Sequence, residues 1–475
     1  MSLDVSRERD EAFWQQQEQR LQGCLGQPCC TLSGICSVLM SMAGRFAVVI
    51  HGERDCANSF HLHQGPAATN FFCTCLDERQ VTTGQTTDPL RDCLEALVAS
   101  RQRPEVIFVL GTCMIEMLGD RFEQTAEDIA QASGVTVRCL HTSGLRLGSQ
   151  AQMLDWLFEE LAGLPQVASA DPAWIRAAAP LAEGLRRCGR KLPDCQRQHA
   201  RLAELAAPQA LDPRRSLNLV GLPEIFDRQR AEPFLVLSSI GLEVNGHYPF
   251  QATLDDWRAI GCARLSAVAD RSIYTRLSAR LEALGQQIVE VPLPVGLGQS
   301  ERFYGRIAEA FELTSALDAE LAQRRDRARA AIKSFSSRFK GIRMAMGIRM
   351  LNNYRADQLA YEGLGDAAAL AELDLDLTLL VQGPPEQQAR ERFAARLAEL
   401  GCELPFEVFP DPWDLSERLA AKGYDVAYLA DHGREEAAKA GVPMIVSRGL
   451  KPYFAGIQEN VQTLTQLILQ SGVDR

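Results

Sequence analysis

Phe46-Ala-Val-Val-Ile50 runs straight into His51-Gly-Glu-Arg-Asp-Cys56, and Glu105-Val-Ile-Phe-Val-Leu110 runs straight into Gly111-Thr-Cys-Met-Ile-Glu-Met-Leu-Gly-Asp120. Each is a short, unbroken apolar run that stops at a glycine-bearing polar loop, the pattern of a strand buried on both faces. Val135-Thr-Val-Arg-Cys-Leu140 repeats it, running into His141-Thr-Ser-Gly144. Helical periodicity fills the gaps, over Asp88–Arg101 and Arg121–Ser133, and resumes over Gln150–Leu161. Alternating strands and helices predict a parallel sheet with helices on both faces. Ligands of such sheets bind beyond the carboxyl ends of the strands, so the three loops are where chemistry is expected. Gly52 and Gly111 let the backbone turn tightly there.

The same alternation extends outward. Residues Arg7–Leu21 read as a polar helix, and Pro165–Arg215 as helices and connections rich in Ala, Arg and Pro. Strands are predicted at Ser216–Gly221, Ala263–Val268 and Gln287–Val291, with helices at Ser272–Leu284 and Arg302–Glu312. A long charged helix over Thr314–Phe339 leads to a third set of strands, at Arg343–Ile348, Asp376–Val381, Phe406–Phe409, Val426–Leu429 and Met444–Val446. The chain has 475 residues, and about 150 residues per domain gives three. The reading is therefore α/β, three Rossmann-like parallel-sheet units, divided at 1–165, 166–335 and 336–475.

Composition narrows the function. The chain is 46% hydrophobic and 23% charged, with net charge −11, which suits a folded globular protein and excludes a collagen-like or disulfide-scaffold chain. It has no basic run for binding phosphate backbones, so no nucleic-acid partner is expected. Its longest apolar stretch, Gly34–Ile50, is interrupted by Ser37, Ser41 and Arg45 and is too short to span a membrane. The opening residues lack the apolar core of a secretory signal, so a cytoplasmic protein with reduced thiols is expected.

Cysteine placement is the strongest chemical signal. Of 14 cysteines, Cys24, Cys29, Cys30, Cys36, Cys56, Cys73, Cys75, Cys93, Cys113 and Cys139 fall within the first 140 residues. Cys93, on a helical pattern, and Cys188, Cys195, Cys262 and Cys402, scattered downstream, read as small buried hydrophobes. No C-x-x-C occurs, so a zinc ribbon or ferredoxin run is not supported. Three separated loops each offer a thiolate instead. Cys56 and Cys113 follow strands, and Cys30, or Cys29 beside it, precedes a helix whose dipole favours a thiolate. Three thiolates are one short of a four-iron set, which places a cluster at a subunit interface. His61 and His63 could be read as a metal pair but fit a polar loop or subunit contact better, and Asp120 reads as a helix cap.

These motifs resemble nitrogenase component 1. The match lies in His51-Gly-x-x-x-Cys56, in Gly111-Thr-Cys113-Met-x-Glu116-x-x-Gly119-Asp120, and in steps of 26 residues from Cys30 to Cys56 and 57 from Cys56 to Cys113. The Thr-Cys-Met-x-Glu form is most similar to the β (K-type) subunit. The specific motifs lie in residues 30–145, and the three-unit layout matches over nearly the whole chain. The resemblance implies a fold of the nitrogenase component 1 type and a heterotetramer with a homologous D-type (α) partner. It also implies an iron–sulfur cluster shared at the interface, of the eight-iron P-cluster type or with four irons. A separate ATP-hydrolysing iron protein would supply the electrons. Cys30, Cys56 and Cys113 are the implied iron ligands, with Cys29 as the alternative to Cys30, and His51, Arg54 and Glu116 are candidate supporting groups. Tandem Cys29-Cys30 and Cys73-Thr-Cys75 depart from the family pattern and leave a part for Cys36, Cys73 or Cys75 open.

D-type chains that carry a catalytic cofactor use a Cys in the second domain and a His in the third. Here those places read Val268-Ala-Asp-Arg-Ser272 and Ser447-Arg-Gly-Leu-Lys-Pro-Tyr-Phe454, without either residue. The chain thus resembles a K-type electron-relay subunit, most similar to that of a methylthio-alkane reductase. Dark-operative protochlorophyllide reductase, a nitrogenase proper and a cofactor-assembly scaffold are the alternatives.

Overall fold

The computed structural model describes residues 30–42, 44–58, 70–143, 150–164, 214–222, 231–249, 252–269, 271, 274–350, 361–383, 387–409, 414–447 and 449–472. The helix expected over Arg7–Leu21, most of Pro165–Arg215, and Cys24, Cys29, His61, His63, Cys188 and Cys195 lie outside them.

The first sheet is built from the decisive stretches. It contains β1 (Phe46–His51), β2 (Phe71–Cys73), β3 (Val106–Gly111) and β4 (Thr136–His141), in the order β2-β1-β3-β4 and parallel throughout. Every residue of β1 and β3 is buried, because central strands of a parallel sheet are covered on both faces. One face packs Val49, Ile107 and Val109 against Leu90, Leu94, Phe122 and Ile129 of α3 (Thr87–Ala99) and α5 (Phe122–Ser133). Elsewhere α1 (Thr31–Ser41), with Ile35 and Leu39 fully buried, packs on α6 (Gln150–Ala162). Two short helices complete the region, α2 (Glu78–Thr83) and α4 (Cys113–Leu118). Asp77 caps α2 in a capping box with Gln80, accepting the Gln80 N–H at 2.7 Å.

The second sheet contains β5 (Ser216–Val220), β6 (Glu243–Tyr248), β7 (Leu265–Ala269) and β8 (Gln287–Val291), in the order β6-β5-β7-β8. The same stretch of sequence also forms α7 (Ala231–Ser239), α8 (Leu254–Arg258), α9 (Thr275–Ala283) and α10 (Leu297–Ala310). The long helix α11 (Thr314–Phe339) has the predicted bounds. The third sheet orders β12-β11-β9-β13-β14: β9 (Arg343–Met350), β11 (Asp376–Gln382), β12 (Phe406–Phe409), β13 (Val426–Leu429) and β14 (Met444–Val446). These strands are parallel, with β10 (Tyr361–Glu362) added antiparallel on β9. Here the helices are α12 (Leu364–Ala371), α13 (Gln387–Glu399), α14 (Leu415–Lys422), α15 (Arg434–Ala440) and α16 (Tyr453–Gln470).

Residues 1–213, with 245–263 and 273–286, form one compact unit, and 214–244, 264–272 and 287–475 form another. Within the second unit a single carboxylate anchors the start of α16. Glu232 is 4% exposed and accepts hydrogen bonds from the Phe454 N–H (3.0 Å), the Ala455 N–H (2.6 Å) and the Tyr304 hydroxyl (3.2 Å). Burial pushes its carboxyl up from the ordinary range, and the two backbone donors pull it back. Tyr304 stacks on Phe454, and Phe303 meets Tyr453 edge-on, so the junction is an aromatic core around one polar group.

Three strands escaped the sequence reading, among them the two-residue β10. Phe71–Cys73 has only three residues, and Glu243-Val-Asn-Gly-His-Tyr248 carries too many polar residues to stand out from a loop. No helix among the described residues is long and apolar enough to cross a membrane.

Candidate functional site

Strand register sets the site. Ile50 pairs with Leu110 and His51 with Gly111, and Gly111 pairs in turn with His141, so the three strands end level with one another. Backbone bonds lace the exits together. The Thr112 N–H donates to the His51 carbonyl at 3.2 Å, and the Thr142 N–H donates to the Gly111 carbonyl at 2.9 Å. Thr31, the first residue of α1, donates its hydroxyl to the Thr142 carbonyl. This bond brings the start of α1 to the same sheet edge across 111 residues of sequence.

The cysteines follow from this lacing. Cys30 is exposed and occupies the N-cap position of α1. Cys113 is the first residue of α4, directly after the β3 exit, and Cys56 lies five residues beyond the β1 exit. Both are half-buried. Burial pushes the Cys56 thiol up to about 11, and repulsion from Cys30 and Cys113 adds to it. Cys30 and Cys113 are therefore each within electrostatic reach of Cys56, although 83 residues separate the first from the last. A positively charged metal centre would reverse this repulsion, because thiolates are stabilised by cations.

A second thiol group adjoins the first. Cys73 is pushed up to about 12, chiefly by burial, with a smaller effect from Cys75. The Cys75 N–H donates to the Cys73 sulfur at 3.3 Å. Cys75 has φ 50, an uncommon conformation for a residue with a side chain. Cys36 and Cys139 are raised by burial and behave as small hydrophobes. Cys93, packed beside the core of α3, is raised to about 11 for the same reason.

The glycines next to the thiols have steric causes. A Cβ on Gly52 would lie 2.3 Å from Thr112 Oγ1 and 2.6 Å from its Cγ2, and a Cβ on Gly111 would lie 2.7 Å from the Phe122 ring. Gly52→Ala is expected to destabilise the protein by about 1–3 kcal/mol through overpacking. Gly305→Ala is the contrast: it sits in α10 with no atom within 4 Å of its Cβ, and alanine there raises stability by roughly 0.5–1 kcal/mol. Denaturant midpoints of the two variants check both signs.

Charged groups back the loops. His51 is fully buried; its Nε2 lies 3.2 Å from Asp120 and its Nδ1 3.2 Å from the Thr74 hydroxyl. Asp120 also accepts from the Thr86 hydroxyl, and the His51 bond holds its carboxyl below the ordinary range. Asp120 was expected to cap α5, but Arg121 holds the N-cap position, and Asp120 turns back to His51 instead. His141 is held between Glu116 and Glu123, with 2.6 Å to the latter. Glu116 thus reaches β4, a pairing that sequence spacing could not reveal.

No three His, Cys, Asp or Glu side chains among the described residues are arranged to hold a single metal ion. The candidate donors are instead three thiols on three separate segments, an arrangement that would suit a cluster with its ligands spread over several irons. In that chemistry the residues present fit. A crevice of about 460 Å³ also lies beyond the third sheet, lined by Gly347, Gly363, Asp366, Gln382, Gly433 and Ser447 among others. Among the described residues its lining contains neither Cys nor His.

A search of curated protein sequences finds no match. Among solved structures, "Nitrogenase Cp1 at pH 6.5" aligns over 93% of this chain and 92% of that one, with a TM-score of 0.64 and 14% identity. "Nitrogenase Cp1 at pH 5" aligns over 93% and 88%, with the same TM-score of 0.64 and identity of 14%. At this identity the likeness shows the fold, including its three α/β units. The family model "Nitrogenase component 1 type Oxidoreductase" matches residues 30–457, a span that begins at Cys30 and contains all three predicted thiols. The chain belongs to the nitrogenase component 1 type oxidoreductases.

Proposed function

We propose that the chain is the K-type (β) subunit of a nitrogenase-like, ATP-dependent reductase that cleaves the carbon–sulfur bonds of methylthio-alkanes. It would relay electrons from an iron protein to a cofactor in a homologous D-type (α) partner. The observation that carries this reading is that the segments bearing Cys30, Cys56 and Cys113 meet at one sheet edge, with Cys30 and Cys113 each within electrostatic reach of Cys56. Their thiolates would hold one side of an iron–sulfur cluster, of P-cluster type or with four irons. When bound, the cluster stores and passes electrons one at a time.

The chain's own residues do the rest. Three thiols leave the ligand set open on one side, which the partner completes. Phe72, Met117 and Leu118 are large apolar side chains that stay exposed, at 39%, 77% and 41%, and they belong to β2 and α4, which carry Cys73 and Cys113. Covering such side chains favours a partner on this face. His51, fixed between Asp120 and Thr74, keeps the Cys56 loop in place. The sequence has no G-x-x-x-x-G-K-[S/T] loop, which supports ATP hydrolysis on the iron protein.

Support for a relay role comes from the third-domain loop. Where a D-type chain uses a His, Tyr453 and Phe454 are buried in the aromatic junction held by Glu232. The test is anaerobic co-expression with the D-type partner and the iron protein, followed by supply of ATP and a small methylthio-alkane. Methanethiol release that depends on ATP and on all three components is expected. Reduction of N2 or of protochlorophyllide, without methanethiol, would reassign the substrate.

A further inference from the structure

Five threonines surround the strand exits, and four have paired hydroxyls. Thr31 donates to the Thr142 carbonyl, and Thr142 to the Gly111 carbonyl at 2.9 Å. Thr74 donates to the Gly52 carbonyl at 3.2 Å, and Thr86 donates to Asp120. Thr112 is the exception. Its side chain is 1% exposed, and Oγ1 has no hydrogen-bond partner among the described residues. Its backbone is extended (φ −77, ψ 172), as an N-cap residue's is, yet its hydroxyl does not cap α4. Burying a hydroxyl unpaired costs roughly 1–3 kcal/mol. Valine has the same shape and carries no such cost, so packing against Gly52 does not account for threonine.

Thr112 adjoins two of the cysteine-bearing segments. It directly precedes Cys113, and its side chain occupies the space above Gly52, on the loop to Cys56. We propose that Thr112 is a tuning residue: its hydroxyl donates a hydrogen bond to a sulfur of the iron–sulfur cluster held by Cys56 and Cys113. This rests on the cluster reading above. A donor to cluster sulfur favours the more negative, reduced state, so Thr112 raises the midpoint potential.

The test uses Thr112→Val, which keeps the shape and removes the hydroxyl, and Thr112→Ser, which keeps the hydroxyl. In the cluster-free full chain, T112V is expected to raise the unfolding midpoint, because it removes an unpaired buried group. A lowered midpoint would mean that the hydroxyl has a protein partner, and would overturn the proposal. In the anaerobic complex, redox titration followed by EPR reads the cluster directly. T112V is expected to lower the reduced-to-oxidised ratio at a fixed potential about tenfold, equivalent to about 59 mV for one electron. T112S is expected to restore the ratio. A T112V cluster that titrates with wild type would overturn the proposal while leaving the cluster reading intact. A wild-type complex without iron would overturn the cluster reading and this inference with it.

Discussion

Cys113→Ala, purified anaerobically with its partner, is expected to lose most of the cluster iron. ATP-driven reductase activity is expected to fall by more than about a hundredfold, because removing a group that merely supports a ligand already costs roughly 10–100-fold. Cys113 opens α4 directly at the β3 exit, and α4 carries no other thiol. Cys139 lies in β4 and is raised to about 12 by burial, which marks it as packed filler. Cys93→Ala and Cys402→Ala are the controls. Cys93 packs beside the core of the first sheet and Cys402 is buried far from it in the chain, so both are expected to keep wild-type iron. Iron loss in all three variants would mean that the protein is merely fragile. Iron loss in Cys113→Ala alone assigns the ligand.

Glu232→Ala is expected to be the most destabilising single change outside the cysteine loops, at about 3–5 kcal/mol. The carboxylate takes three donors, the N–H groups of Phe454 and Ala455 and the Tyr304 hydroxyl, in a site with almost no access to water. Truncation leaves all three buried without an acceptor and opens a void beside the stacked Tyr304 and Phe454 rings. Glu232→Gln fills the void but turns an NH2 group toward donors, so it is expected to recover only part of the loss. A denaturant midpoint unchanged in Glu232→Ala would show that α16 is anchored by its apolar face alone.

The strands of this protein were legible because parallel sheets bury their central strands on both faces. The runs Phe46–Ile50 and Glu105–Leu110 need no long-range information to be read; the structure extends the first through His51 and shifts the second by one residue, to Val106–Gly111. The three candidate thiols were legible from their place after strands or before a helix, and from the family motif. The side chains behind them were not. His51–Asp120 spans 69 residues and Glu116–His141 spans 25, and both pairings depend on strand register, which local pattern does not carry. Thr112 was part of a motif, but only the surrounding packing reveals that its hydroxyl is unpaired. β6 was missed because Asn245, Gly246 and His247 break the apolar run that marks the other strands.

The most direct test of the central claim is iron and acid-labile sulfide analysis of the anaerobically purified complex of this chain and its partner, read beside EPR of the oxidised and reduced states. An interfacial cluster predicts about four to eight irons per copy of this chain beyond any cofactor on the partner, with matching sulfide, and loss of that signal in Cys56→Ala and Cys113→Ala. A stable complex that contains neither iron nor sulfide, or whose iron is untouched by both substitutions, would contradict it.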